Sequence, residues 1–101
     1  MRLTSQQIKD SPGFAHPSTS VVIPALNEEE AIAGVIGSIP RQVVDEIIVV
    51  DNGSTDATAE KARAAGARVV RELCRGYGRA CRAGVLAVAP ESEVMVFLDG
   101  D

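Results

Sequence analysis

Residues 46–56 read Glu-Ile-Ile-Val-Val-Asp-Asn-Gly-Ser-Thr-Asp, and the fold follows from this stretch. Four consecutive β-branched residues, Ile47 to Val50, suit a strand buried on both faces, as in a parallel sheet. Asp51 terminates it, Asn52-Gly53 makes a turn, and Ser54, Thr55 and Asp56 offer helix caps. An alanine-rich helix is expected from about Ala57 to Ala65, with Gly66 as its C′ residue. Strand, tight turn and helix in this order form one half-turn of an α/β layer structure.

The same grammar extends in both directions. Upstream, Ser20 to Ile23 is a short apolar strand that stops at Pro24. Asn27 precedes Glu28, Glu29 and Glu30, which predicts a helix capped by Asn27, with Glu30 completing a capping box. Ile32, Val35, Ile36 and Ile39 recur at the spacing of one helix face, and Pro40 closes the helix. Downstream, Ala67 to Leu73 supplies a third strand and Gly76-Tyr77-Gly78 a glycine turn. A third helix reaches about Val88. Val94 to Leu98 forms a fourth apolar strand running into Asp99-Gly100-Asp101. The order β-α-β-α-β-α-β implies a mainly parallel sheet, buried on both faces, with flanking helices. Residues 1–19 are polar, carry Pro12, Gly13 and Pro17, and read as a flexible leader in which His16 is solvated.

Bulk properties narrow the function. The chain has 101 residues, so one domain at most, and its net charge of −4 is unlike a nucleic-acid footprint. Arg75, Arg79 and Arg82 make a short basic stripe, not a groove. No apolar run reaches the roughly 20 residues of a membrane span. Cys74 and Cys81 lack the spacing of a zinc site and read as free thiols. There is no phosphate-binding P-loop, and one histidine in the leader supports no Ser-His-Asp set.

Position gives the acidic residues their interest. Glu28 and Glu29 follow strand one, Asp51 and Asp56 strand two, and Asp99 and Asp101 strand four. Ligands of such sheets bind beyond the carboxyl ends of the strands. Carboxylates gathered on one rim repel unless donors or a hard divalent cation meet them. Singly, such residues are as often turn formers and caps as functional groups; Glu30 is assigned to capping, and Asp45 and Glu46 to solvent.

Four segments, VVIPALNEEEAI (21–32), IIVVDNGSTDAT (47–58), RGYGRACRAG (75–84) and VMVFLDGD (94–101), together resemble the N-terminal, nucleotide-binding half of a family-2 glycosyltransferase with the Rossmann-like GT-A fold. The pattern is most similar to bacterial polyprenyl-phosphate mannose and glucose synthases. The resemblance implies that residues 20–101 bind a nucleoside-diphosphate sugar, UDP- or GDP-linked. Pro24 and Ala25 would support the base and ribose, and Glu28 the ribose hydroxyls. Asp51 would accept a hydrogen bond from the base, Asp56 would brace its loop and cap the next helix, and Gly76 and Arg79 would lie near the nucleotide. Asp99 would contact the ribose or the metal shell, and Asp101 would be the chief ligand of Mg²⁺ or Mn²⁺. The family transfers sugar with inversion, here to a polyprenyl phosphate or another glycan or lipid acceptor, in the cytoplasm or at the inner face of the membrane. Because the sequence stops at Asp101, a partial domain is expected, inactive in isolation, with its catalytic base beyond that residue.

Three other readings compete. Gly76-x-Gly78-x-x-Cys81, with Asp99 roughly 20 residues on, approximates an NAD(P)-binding oxidoreductase fingerprint, although Cys81 stands where Gly or Ala belongs. A nucleotidyltransferase would need a glycine- and basic-rich loop where Pro24 to Asn27 stands. The third is a catalytically inert nucleotide-binding remnant.

Overall fold

A computed structural model of the chain describes residues 17–100; most of the leader, His16 and Asp101 lie outside the described residues. Four strands, β1 (Thr19–Ala25), β2 (Glu46–Asp51), β3 (Arg68–Arg71) and β4 (Val94–Phe97), alternate with three helices, α1 (Ile32–Gly37), α2 (Thr58–Ala64) and α3 (Tyr77–Ala87). The sheet order is β3-β2-β1-β4. Every pairing is parallel, with Val21 opposite Ile47, Val49 opposite Val69 and Val21 also opposite Val96. The expected α/β class and element order are therefore observed.

The strand period of two splits the core into two layers. Val21, Ile23, Ala25, Ile47 and Val49 face Ile32 and Ile36 of α1 and Ala62 of α2. Val22, Ile48 and Val50 point the other way, against Ala80 of α3. The α3 backbone comes close to the sheet because residue 84 is glycine: a Cβ there would run into Val22 and stand 3.2 Å from Val50 Cγ2.

Four expectations need correction. First, β1 runs through Pro24, which pairs with Val50. The Val22 carbonyl accepts the Leu98 N–H, so Pro24, two residues on, faces the same side past the last rung, where a missing N–H costs no ladder bond. Second, Asn27 caps nothing: α1 starts at Ile32 after Ala31, with no side-chain cap. Asn27 has φ +52°; its N–H donates to Ser54 Oγ and its Oδ1 accepts the Thr55 N–H. Glu30 is exposed and caps nothing either. Third, β4 is an edge strand, and Val94, Met95, Val96 and Phe97 are 38–46% exposed. An apolar run does not distinguish a central strand from an uncovered edge.

Fourth, Glu46 belongs to a polar network, not to solvent. Its carboxylate accepts from Ser20 Oγ at 2.7 Å, Arg68 Nη2 at 2.7 Å and the Ala89 N–H at 3.1 Å. Burial pushes this carboxyl up, but the bonds from Ser20, Arg68 and Ala89 outweigh it and hold the group below its ordinary value.

Candidate functional site

The β1 and β2 ends are fastened to each other through their following loops. The Asn52 N–H donates to the Ala25 carbonyl at 2.9 Å. Asp56 Oδ2 accepts the Glu29 N–H, Asp56 Oδ1 accepts the N–H and hydroxyl of Thr58, and Glu29 Oε2 accepts the Ala57 N–H. The Thr58 hydroxyl in turn receives the Glu28 N–H. The bond from the Thr58 hydroxyl, with backbone donors behind it, holds the Asp56 carboxyl below its usual range. Asp56 thus braces the loop and meets the first N–H of α2, while the N-cap position itself is Ala57 and has no side-chain cap.

A cleft of about 250 Å³ opens beside this double loop, lined by Pro24, Ala25, Leu26, Glu28, Asn52, Tyr77, Ala80, Asp99 and Gly100. It lies at the carboxyl ends of β1 and β4 and the start of α3, where open α/β sheets take ligands. Gly100 is packed under its lip: a Cβ would meet Ala25 Cβ and the Pro24 carbonyl at 3.2 Å and Glu28 Cγ at 3.3 Å. Glycine here lets the segment after β4 lie close on the end of β1, where any side chain would push its neighbours aside by a few tenths of an ångström.

Of the residues singled out from sequence, Pro24, Ala25, Glu28 and Asp99 line the cleft. Gly76 is the N-cap position of α3, and Arg79 is exposed on that helix outside the lining. Asp51 does not line the cleft and is 1% exposed. Its Oδ1 accepts the Ser54 N–H at 2.9 Å, but its Oδ2 is buried without a hydrogen-bond partner. Arg71 Nε forms a long ion pair with the same Oδ2 at 3.7 Å, from a side chain 63% exposed. A buried acceptor of this kind is uncommon and points to a missing donor.

Two polar lining residues were read from the sequence only as parts of turns, Tyr77 within the Gly76–Gly78 loop expected near the nucleotide. Tyr77 stands on the cleft wall, its phenol raised above its ordinary value by a hydrogen bond with Cys81, and further by Asp99. Asn52, read only as half of a turn, forms part of the floor. The tyrosine between two glycines was the available signal for the first; nothing local marked the second.

A larger cavity, about 540 Å³, lies at the opposite, amino ends of the strands, walled by Ser20, Arg41, Glu46, Arg68 and Ser92 among others. Glu46 there accepts from Ser20 and Arg68, and Arg41 and Arg68 donate to the Ala65 and Ala87 carbonyls, so volume alone is a poor guide to chemistry here. Among the described residues, no three His, Cys, Asp or Glu side chains converge to hold a metal ion. No helix among them is long and apolar enough to cross a membrane.

A parallel α/β sheet with a carboxylate-rimmed cleft at its carboxyl end is the architecture of nucleotide-binding transferases, and the chain belongs to glycosyl transferase family 2, whose profile matches residues 20–101. An uncharacterized glycosyltransferase of Mycobacterium tuberculosis is 44% identical over 87 residues, covering 86% of this chain and 39% of its own. Glucosyl-3-phosphoglycerate synthase of the same organism is 46% identical over 93 residues, covering 81% of this chain and 28% of the synthase. The crystal structure of that synthase with Mn²⁺, uridine diphosphate and glucosyl-3-phosphoglycerate superposes with a TM-score of 0.78 at 38% identity, over 98% of this chain and 38% of that one. The chain thus spans less than two fifths of the length of these relatives. Family membership removes the support for an oxidoreductase reading of Gly76-x-Gly78.

Proposed function

We propose that residues 20–101 form the donor-binding part of a glycosyltransferase that uses a UDP-linked sugar. The observation that carries this is the cleft at the carboxyl rim, where Pro24, Ala25, Glu28 and Asp99 come together. At about 250 Å³ it falls below the roughly 300–1,000 Å³ of whole-ligand pockets. It suits a base and ribose, with the diphosphate and sugar extending past Gly100. The buried Oδ2 of Asp51, which lacks a donor, is the acceptor we assign to the imide N–H of uracil. Gly76 and Arg79, at the start of α3, are neighbours in sequence of the lining residues Tyr77 and Ala80, and we assign them to the surroundings of the nucleotide.

Asp99 and Asp101 offer hard carboxylate oxygens suited to Mg²⁺ or Mn²⁺, and solved relatives carry either Mn²⁺ or Mg²⁺ with uridine diphosphate. Such an ion, when bound, would neutralise charge developing on the leaving diphosphate. The acceptor we read as a small phosphorylated acid, because related structures hold phosphoglyceric acid. That replaces the polyprenyl phosphate suggested by the sequence pattern, and it fits a cytoplasmic setting without a lipid surface.

Calorimetric titration of the chain with UDP and GDP, each with and without Mn²⁺, tests the reading. Metal-dependent binding of UDP, tighter than GDP, is expected, and Asp99→Asn should weaken it. A chain shown by circular dichroism to be folded, yet binding neither nucleotide, overturns it.

A further inference from the structure

Asn52 makes four hydrogen bonds at the carboxyl rim. The side chain belongs to a residue only 6% exposed. Its amide nitrogen donates to the carbonyls of Glu72 at 2.9 Å and Cys74 at 3.0 Å, and its Oδ1 accepts the Gly76 N–H at 3.0 Å. The carboxamide supplies the two donors and one acceptor that these three backbone groups require. Because the Asn52 N–H is bonded to Ala25, this one residue ties the end of β1, the end of β2 and the loop from β3 to α3. The Glu72 N–H donates to the Asp51 carbonyl at 3.0 Å, and Arg75 adds a long, exposed contact at 3.4 Å to the Gly53 carbonyl; past residue 72 the carboxamide supplies the two shorter bonds, to Cys74 and Gly76. Immediately after the pinned loop comes Tyr77, on the cleft wall.

We infer that Asn52 is a positioning residue of the cleft: by fixing loop 72–76 it holds Tyr77 and the first turn of α3 at the place where a nucleotide would meet them. The inference rests on the nucleotide reading above for its functional half and on the three hydrogen bonds for its structural half. Without the carboxamide, two carbonyls and one N–H, all in part-buried bonds, would be left to find other partners, water among them. The loop would open to hydrate them and Tyr77 would leave the wall.

The chain carries one tyrosine and no tryptophan, so its intrinsic fluorescence reports on Tyr77 alone. Asn52→Ala removes all three bonds. Asn52→Asp keeps the acceptor for Gly76 but, ionised, has no donor for Glu72 or Cys74. Both variants should keep the far-UV circular dichroism of the parent, while Tyr77 becomes more accessible to acrylamide and its anisotropy falls. UDP binding in the presence of Mn²⁺ should weaken about tenfold, the scale of one or two lost hydrogen bonds. Tyr77 quenching and anisotropy identical to the parent in both variants overturns the inference. So does a shift in Tyr77 with UDP affinity unchanged, since Asn52 would then hold the loop without serving the cleft. If the parent itself binds no UDP, the nucleotide reading fails, and the Tyr77 signals still decide whether Asn52 fixes the loop. Should the variants not fold, hydrogen exchange of the Gly76 amide in the parent decides: protection is expected, and exchange at the rate of an unstructured chain overturns the attachment.

Discussion

At the amino ends of the strands, the Glu46 carboxylate takes bonds from a hydroxyl, a guanidinium and a backbone N–H. At the carboxyl ends, Asp51, more deeply buried, has one oxygen bonded to Ser54, while the other has an ion pair with Arg71 at 3.7 Å and no hydrogen bond. Both are acidic residues at the two ends of the same strand, β2. The first is a network that stabilises the sheet, and the space beside it, about 540 Å³, is merely the larger space. The second retains an unsatisfied acceptor close to a smaller cleft. Unmet hydrogen-bonding capacity, rather than volume, separates a surface that holds the fold together from one arranged to receive something else.

The largest effect should come from striking both rims at once. Helix α3 reaches from Tyr77 at one rim to Ala87 at the other, where its carbonyl accepts from Arg68, and Gly84 seats it on the sheet. Gly84→Ala should lower the unfolding free energy by about 3 kcal/mol, the upper range for forcing extra volume into a packed core, as read by urea denaturation. Next, Asp51→Asn should separate the rims. It should leave stability unchanged or slightly raised, because it neutralises an underpaired buried carboxylate. UDP affinity should nevertheless fall by about tenfold or more, since a hydrogen bond to a charged group is worth about 1.5–3 kcal/mol. Stability that drops while UDP affinity holds would erase the contrast.

Glu46→Ala should do the reverse, costing about 1.5 kcal/mol of stability through the donors it strands and leaving UDP affinity unchanged. Arg68 is half in solvent, so its share of that loss is small. The smallest effect is in acid. The Glu46 carboxyl lies below its ordinary value in the folded chain, so its contribution is fully present above that ordinary value and disappears as pH falls through the folded one. The difference in melting temperature between parent and Glu46→Gln should therefore narrow below about pH 4.5, and a difference that widens there would contradict the network.

The layering was legible because it depends on local periodicity. Ile47–Val50 and the spacing of Ile32, Val35, Ile36 and Ile39 specify a buried strand and a helix face without knowledge of neighbours. Pro24, Ala25, Glu28 and Asp99 reached the cleft because topology alone sends strand ends to one rim. What escaped was set by partners distant in sequence. Asn27 has the composition of a cap, yet its partners are Ser54 and Thr55. Glu46 resembles a solvated strand end, yet Ser20 and Ala89 enclose it. Asn52 in an Asn-Gly pair reads as turn chemistry, while its side chain is spent on residues 20 to 24 positions away. Local grammar names a residue's capacity for hydrogen bonds; only the fold names the recipient.

Strand β4 has a consequence for handling the molecule. Four consecutive apolar residues, without a charge, a proline or a bulge among them, form an edge that protects itself by none of the usual devices. In solution such an edge is a template on which other strands can be laid down, so the dispersity of the chain should depend on its concentration and worsen as the bench stock is enriched. Titrations are best run dilute, and a lysine in place of Met95 is the natural solubilising change.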